Sequence, residues 1–196
     1  MYFTCSYLSP IGLLYLESDG ECLTGLYLAE GRQAGSDAVR GRCCAGVNGK
    51  GPAPTGAMPE ILRQAAEWLN RYFAGEKPLP GELPLRPAGS DFQKEVCRKL
   101  CEIPYGALAT YGEIAASFAE DHAHKRMSAQ AVGGAVGRNP ISIIIPCHRV
   151  IGSGGNLTGY GGGLRNKLWL LRHEGVDTEK LRLPAHLPSW DHSLQG

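Results

Sequence analysis

The sequence lacks a long hydrophobic run, an excess of charge of one sign and a recognisable targeting segment. Its 196 residues include 20 Lys and Arg against 19 Asp and Glu, which gives a formal net charge of +1. Tight binders of nucleic acid usually carry a pronounced basic stripe, so charge alone gives little support for that class of partner. No apolar stretch is long enough to cross a membrane, and the first residues lack the basic and apolar regions of a secretory signal. We therefore expect no membrane partner.

Paired cysteines and metal-ligand spacings are also lacking. The seven cysteines are an odd number and are scattered along the chain. Without an export signal, this pattern favours a reducing compartment, thiols in place of disulfides, and at least one cysteine kept for chemistry. Cys97 and Cys101 share one face of a predicted helix, but a metal site would need further ligands. We expect the protein in the cytoplasm, or in the nucleus if its source is eukaryotic.

Alternating apolar residues predict β-structure at the start of the chain. Strands are predicted over residues 2–8, 11–18 and 21–28, and Asp19-Gly20 is a strong hairpin signal between the last two. Residues 31–57 are rich in Gly, Ala and Pro and show little periodicity, which predicts an irregular connection.

One helix and a proline-rich segment complete the first half. The helix is predicted to begin near Pro59, to have apolar residues on one face up to Phe73, and to stop at Gly75. Residues 77–89 contain Pro78, Pro80, Pro84 and Pro87, which predict a semi-rigid linker. The resulting division is a domain over 1–88, a second over 89–175, and a loose tail over 176–196.

Capping patterns predict three helices in the second half. Ser90 with Gln93, and Thr110 with Glu113, are capping boxes, and Ser128 is a good N-cap residue. The predicted helices extend to about residues 101, 118 and 138. The last two, joined by a polar loop, have the outline of a helix-turn-helix.

The third of these helices is nearly bare of side chains that read bases. It contains Gly133, Gly134 and Gly137, each of which costs a helix about 1 kcal/mol relative to alanine. Two interpretations stay open on this feature: tight helix–helix packing, or a smooth helix pressed into a DNA minor groove. Gln130 would be its only long side chain.

The densest chemical signal follows this helix. Residues 141–145 form an apolar run that predicts a short buried strand, and Cys147-His148-Arg149 comes directly after it. A cysteine after such a run is ordinarily an inert core residue, whereas a neighbouring base or positive charge favours a nucleophilic thiolate. A Gly-rich loop over 152–163 then leads to a last helix carrying Leu164, Leu168 and Leu171. Adjacency in sequence does not decide between the two roles of the cysteine.

Five motifs resemble the O6-alkylguanine-DNA alkyltransferases, also called methylated-DNA–protein-cysteine methyltransferases. In chain order they are TYGEIA (110–115), AVGGA (131–135), NP with IPCHRV (139–150), YGGG (160–163) and WLLRHEG (169–175). The resemblance covers residues 92–175 with scarcely a gap, and the first ninety residues only in outline. It implies an α+β fold, with an N-terminal ribonuclease-H-like sheet-and-helix domain and a C-terminal winged helix-turn-helix catalytic domain.

The resemblance also implies a mechanism. Cys147 would be the nucleophile that attacks the alkyl carbon on O6 of a flipped-out guanine. His148 would take the thiol proton through a water, and Glu174 would orient that histidine, with the logic of a hydrolase triad. Asn139 would tie the helix-turn-helix to the active-site loop. Tyr111 would rotate the nucleotide and bond guanine N3.

Pocket and DNA contacts are implied in the same way. The carbonyls of Cys147 and Val150 would accept from the guanine amino group, the N–H of Gly161 would donate to O6, and Tyr160 would wall the pocket. Many members have an arginine where this chain has Gln130, and some have a serine where it has Gly161. The residues expected to contact DNA are Gln130, Ala131, Gly133, Lys125 and Arg126.

The expected partner is double-stranded DNA containing alkylated guanine, bound by a monomer that acts once because its product is a thioether. O4-alkylthymine is a further expected substrate. Some members hold a structural zinc, but Cys5 and Cys22 lack a full ligand set, so neither a metal nor another cofactor is predicted. Two rival functions are a cysteine hydrolase, which would turn over, and a DNA-binding regulator, which would recognise a defined sequence.

Overall fold

The computed structural model describes residues 2–29, 58–121 and 127–184, and shows a mixed α/β protein. Three antiparallel strands and helix α1 form the first half. The second half contains α2 to α5 and a pair of two-residue parallel strands. The strands are β1 Phe3–Ser9, β2 Gly12–Ser18, β3 Leu23–Leu28, β4 Ala109–Thr110 and β5 Val150–Ile151. The helices are α1 Glu60–Phe73, α2 Asp91–Cys101, α3 Tyr111–Asp121, α4 Ala129–Val136 and α5 Leu164–His173.

The N-terminal sheet has the order β1-β2-β3 and confirms the predicted strands with small shifts. Strand β3 begins at Leu23, two residues later than predicted. The carboxylate of Asp19 accepts hydrogen bonds from the backbone N–H groups of Glu21 and Cys22, at 3.0 and 2.8 Å. These bonds hold both residues in the turn and out of the strand.

Helix α1 lies against this sheet through the apolar face that its 3.6-residue periodicity predicted. Its buried residues are Ile61, Leu62, Ala65, Trp68, Leu69 and Tyr72. Trp68 Nε1 donates to the carbonyl of Leu79 at 2.9 Å, and this bond fixes the start of the proline-rich segment against the helix.

The proline-rich segment packs against the sheet. Leu23 N–H donates to the carbonyl of Pro84 at 2.8 Å, and Arg86 N–H donates to the carbonyl of Leu23 at 2.9 Å. Leu83 is buried in a hydrophobic cluster that contains residues from both sides of the segment. The division into two domains at this segment stays a prediction.

The capping patterns of the second half are confirmed. Ser90 and Gln93 form a reciprocal capping box on α2, and Thr110 and Glu113 do the same on α3. The Ser128 hydroxyl accepts from the N–H of Ala131 at 3.1 Å at the start of α4. Helices α3 and α4 pack on each other, and α2 packs on α4.

The predicted strand over residues 141–145 is wrong. Only Ile141 pairs with a strand: Leu26 N–H donates to Pro140 O, and Ser142 N–H donates to Leu26 O, both at 2.8 Å. The chain then turns tightly, with Ile143 at a φ of 71° and Ile145 N–H bonded to Ile141 O at 3.0 Å. Since every residue of the run is buried, its pattern contains no periodicity that distinguishes a strand from a buried turn.

The prediction of a loose tail is also wrong for residues 176–184. Leu157 N–H donates to Arg182 O, and Arg182 N–H donates to Gly155 O, both at 2.9 Å. The buried Thr178 hydroxyl accepts from Arg172 Nε at 2.8 Å. Residues 185–196 lie outside the described part.

Within 2–29, 58–121 and 127–184, no helix combines the length and apolarity of a membrane span.

Candidate active site

Cys147 lies in a buried turn of 3₁₀-helix, Cys147–Arg149, between the isoleucine-rich loop and strand β5. It is 6% exposed, and its N–H donates to Ile145 O at 2.8 Å. The turn places a cysteine, a histidine and an arginine in successive positions, all of them buried. Cys147 is free of disulfides.

Asn139 connects the end of α4 to the loop that precedes the cysteine. Its backbone N–H bonds Val136 O at 3.1 Å. Its side chain donates to Ile145 O at 2.8 Å and accepts from Ile141 N–H at 3.1 Å. A single buried amide therefore joins the helix to both ends of the loop, as expected of a residue that ties the two together.

His148 is completely buried, and its ring Nε2 lies 2.7 Å from Glu174 Oε1. An ionised carboxylate only accepts hydrogen bonds, so Nε2 carries the proton and Nδ1 carries the lone pair. Within the described part of the chain, this buried Nδ1 has no hydrogen-bond partner. The arrangement provides a neutral imidazole with its basic nitrogen free to take a proton.

The carboxylate of Glu174 is held by five hydrogen bonds. Besides the bond from His148, it accepts from Arg149 Nε and Nη2 at 2.8 and 3.0 Å, from the Tyr72 hydroxyl at 2.8 Å and from Gly106 N–H at 3.0 Å. Burial opposes ionisation, but the hydrogen bond from His148 and the hydrogen bonds and charge of Arg149 outweigh it and lower the pKa of Glu174 to about 2. Glu174 is therefore charged at neutral pH.

Burial controls the protonation of the cysteine and the histidine. It raises the pKa of the Cys147 thiol, against the opposing effects of the Asn139 side chain and the charge of Lys167. It lowers the pKa of His148, although Glu174 acts in the opposite direction. The resting pair is thus a thiol and a neutral imidazole, so the sulfur must be deprotonated during the reaction.

Three buried polar residues of the site were missed by the sequence reasoning: Arg149, Tyr72 and Lys167. Arg149 also donates to Ile103 O at 2.6 Å, and its guanidinium lies 5.7 Å from the ring centre of Tyr105. Arg149 follows His148 directly in sequence, but nothing in the local sequence indicates that its partner is Glu174. Tyr72 falls within the apolar face of α1, so the periodicity gives no sign of its polar contact.

Lys167 is fully buried on α5. Its Nζ donates to the carbonyls of Val150, Thr158 and Gly159 at 2.5, 2.6 and 3.3 Å. Burial lowers the pKa of Lys167 to about 8. A signal was present in the sequence, because position 167 falls beside Leu164 and Leu168 on the apolar face of the helix. Lys167 joins α5 to β5 and to the Gly-rich loop.

A small cavity of about 10 Å³ borders Cys147. It is enclosed from three directions by β3, the end of α4 and the Gly-rich loop. Its lining residues are Tyr27, Leu28, Val136, Gly137, Asn139, Ser142, Cys147, Gly161 and Gly162. Tyr160 is half-buried nearby, and its buried hydroxyl has no hydrogen-bond partner among the described residues. Gly161 is exposed, and a Cβ there would meet no atom within 4 Å.

Tyr111 begins α3 and links the α4 surface to the site. A Cβ atom added to Gly133 would lie 3.7 Å from the ring of Tyr111. A Cβ atom added to Gly159 would lie 3.5 Å from the hydroxyl of Tyr111. Burial raises the pKa of Tyr111, and a thiolate at Cys147 would raise it further. Gln130 and Ala131 are exposed on α4. Lys125 and Arg126 lie outside the described residues.

Comparison with known proteins gives a consistent result. The family model for the DNA-binding domain of 6-O-methylguanine DNA methyltransferase matches residues 91–176. The chain is 38% identical to the methylated-DNA–protein-cysteine methyltransferase of Haemophilus influenzae, over 90% of this chain and 87% of the relative. It is 42% identical to the protein of that name from Mycobacterium tuberculosis, over 93% and 95%.

Solved structures agree with these relatives. The crystal structure of Mycobacterium tuberculosis O6-methylguanine methyltransferase matches with a TM-score of 0.69 and 38% identity, covering 94% of this chain and 96% of the other. A structure from the same organism in complex with DNA matches with a TM-score of 0.68 and 38% identity, covering 93% and 96%.

Proposed function

Because the chain belongs to the methylated-DNA–protein-cysteine methyltransferase family, we propose that it repairs DNA by moving the alkyl group of O6-alkylguanine onto its own Cys147. Its enzyme class is methylated-DNA–protein-cysteine S-methyltransferase, and its partner is DNA. The observation that supports Cys147 as the acceptor is its place in one buried turn with His148, whose free Nδ1 and Glu174-bonded Nε2 make it a base.

The proposed reaction is one displacement at carbon. The thiol proton of Cys147 passes through a water to Nδ1 of His148, and the sulfur attacks the alkyl carbon. The new S–C bond forms as the C–O6 bond breaks, and the electron pair leaves with guanine. Tyr111 donates to N3 as charge develops on the leaving base. The thioether product cannot be hydrolysed by ordinary side chains, so each molecule acts once.

Recognition of the base uses the cavity at Cys147. The carbonyls of Cys147 and Val150 accept from the guanine amino group, Gly161 N–H donates to O6, and Tyr160 forms a wall. Lys167 occupies one lone pair of the Val150 carbonyl, which leaves the second available. A cavity of about 10 Å³ holds about one water molecule, so its walls must move apart before a guanine can enter.

DNA binding in this proposal uses α4. Gln130, Ala131 and Gly133 contact the minor groove, Gln130 fills the space left by the flipped base, and Lys125 and Arg126 contact phosphates. In this proposal the N-terminal half is a ribonuclease-H-like domain, and the C-terminal half is a winged helix-turn-helix domain. The proposal also includes a monomeric state and activity on O4-alkylthymine.

The test is the intact mass of the protein after incubation with duplex DNA containing O6-methylguanine. We expect a gain of one methylene, which peptide mapping places on Cys147. Cys147→Ser should bind the same DNA without gaining mass, because a hydroxyl is a much weaker nucleophile here. Methyl uptake by Cys147→Ser at the parental rate would refute the proposal.

A further inference from the structure

The hydroxyl of Tyr72 reaches the proposed proton relay from the other half of the chain. Tyr72 lies near the end of α1, is 0% exposed, and donates to Oε1 of Glu174 at 2.8 Å over a separation of 102 residues. The same oxygen accepts from Nε2 of His148 at 2.7 Å. A residue of the N-terminal helix and the proposed base therefore share one acceptor atom.

We propose that Tyr72 is a positioning residue for the relay of Cys147, His148 and Glu174, through which the N-terminal half orients the catalytic carboxylate. This inference rests on the proposed function. It concerns the hydroxyl alone, since the aromatic ring has a separate packing role.

The geometry around Glu174 explains why one hydroxyl matters. Oε2 is held by Arg149 Nε and Gly106 N–H, whereas Oε1 accepts from Tyr72, His148 and Arg149 Nη2. The side chain of Glu174 is 0% exposed, so water cannot replace a lost donor. Without the hydroxyl, the carboxylate can rotate toward Arg149 and alter the direction of the bond that aims His148.

The ring of Tyr72 is fixed by aromatic neighbours. It stacks on Trp68 with centroids 5.5 Å apart, and it meets Tyr105 and Phe73 edge-on at 6.0 and 5.2 Å. The backbone carbonyl oxygen of Tyr72 lies 2.7 Å from Nε2 of His173. These contacts do not involve the hydroxyl, so Tyr72→Phe removes the bond to Glu174 and keeps the packing.

Removing the hydroxyl also has an electrostatic consequence. Burial and then the charge of Glu174 raise the pKa of Tyr72 well above its usual value, so the hydroxyl stays a neutral donor. The charged groups that face His148 are Glu174, Arg149 and Lys167, and Tyr105 also faces Glu174. When Tyr72 no longer shares Oε1, more of the carboxylate charge acts on His148 and favours its protonated form. The pKa of His148 then rises.

The experiment compares Tyr72→Phe with Tyr7→Phe in the full chain. Tyr7 is a matched control, because it is also buried and its hydroxyl bonds Asn70 Oδ1 at 2.9 Å, not Glu174. Single-turnover transfer from free O6-benzylguanine is followed across pH, together with thermal melting. For Tyr72→Phe we expect a rate about three- to tenfold lower and an acid limb moved to higher pH. Tyr7→Phe should keep the parental rate and pH profile.

Three results would overturn the inference. The first is a parental rate and pH profile in Tyr72→Phe, and the second is an equal rate loss in Tyr7→Phe, since either leaves Tyr72 with packing alone. The third is a rate loss in Tyr72→Phe with an unmoved acid limb. A parent protein that gains no methyl group from O6-methylguanine duplex would instead refute the proposed function, and this inference with it.

Discussion

Glu174 combines two tasks in one buried carboxylate: it neutralises Arg149 and it orients His148. The two tasks have different energetic signatures. Neutralising a buried arginine contributes mainly to stability, because an unpaired charge in a dry site is costly. In the proposed reaction, orienting the histidine and favouring its protonated form contributes to the rate, because it acts on the proton of Cys147.

A change of Glu174 to glutamine tests both tasks. We predict that Glu174→Gln lowers the free energy of unfolding by about 3–5 kcal/mol, since Arg149 loses its counter-charge. We also predict that it slows transfer from free O6-benzylguanine by about a hundredfold, with unchanged affinity for undamaged duplex. Urea denaturation and single-turnover rates measure the two effects, and Glu95→Gln, at a partly exposed ion pair with Arg98, is the control for stability. A parental transfer rate would exclude Glu174 from the relay.

At the residue scale, the proposed nucleophile and base are easier to predict from the sequence than the residues that surround them. Cys147 and His148 are adjacent, so a short motif contains both. Tyr72, Arg149 and Glu174 meet only in three dimensions, and the hydroxyl of Tyr72 is invisible in a pattern that counts it as one more apolar position. The polar contacts of buried residues depend on tertiary packing, which periodicity does not encode.

At the element scale, α4 exposes Gln130 on the surface that the proposal assigns to the minor groove. We predict that Gln130→Ala lowers the rate on duplex DNA about tenfold and leaves the rate on free O6-benzylguanine unchanged, because free base needs no flipping. Gln130→Arg should restore the duplex rate and steepen its dependence on salt. Parallel single-turnover assays measure both rates. Gln64→Ala, an exposed glutamine on α1, is the matched control, and equal losses on both substrates would assign Gln130 to the pocket or the fold.

Helix α5 is tied to the Gly-rich loop by Lys167. The pKa of Lys167 is about 8 in the folded protein, against 10.5 ordinarily. Between these two pH values, the lysine therefore binds more protons in the unfolded chain than in the folded protein. Stability from this group is therefore lowest below pH 8 and rises as pH increases toward 10.5. We predict that the unfolding free energy of the parent, relative to Lys167→Met, increases across this window. Urea titrations at several pH values test it, with Lys180→Met, at an exposed lysine, as control; a pH-independent difference would contradict it.

Helices were predictable because their signals are local. The capping pairs at Ser90 and Thr110 and the serine at 128 marked starts that the structure confirms within a residue. The loop over 141–145 was not predictable, because its conformation depends on contacts with residues outside the loop. Asn139 bonds both of its ends, and Leu26 of the N-terminal sheet pairs with it from a distant part of the chain.

At the scale of the whole molecule, the N-terminal half contacts the active site from two sides. Strand β3 pairs with the loop at Pro140 and Ser142, and its Leu28 closes the cavity over Gly162. Helix α1 contacts Glu174 through the hydroxyl of Tyr72. The residues of the sheet, α1 and the cysteine loop belong to one hydrophobic cluster. The first half is therefore part of the site's support, although the sequence motifs of the chemistry lie entirely in the second half.

The stoichiometry of the reaction is also a property of the whole molecule. In the proposed reaction the acceptor is Cys147, and the thioether that it would become is not hydrolysed by ordinary side chains. We predict that an excess of O6-methylguanine duplex gives a burst of one demethylated guanine per protein molecule and no steady state afterwards. The burst should be absent in Cys147→Ser and slow but complete in His148→Ala, since the base changes the rate and not the capacity. Quench-flow measurement of product against active protein tests this. Continued product formation beyond one equivalent would favour a hydrolase that regenerates Cys147, and would require a water placed to attack the alkyl carbon, with the Cys147 thiolate as the leaving group.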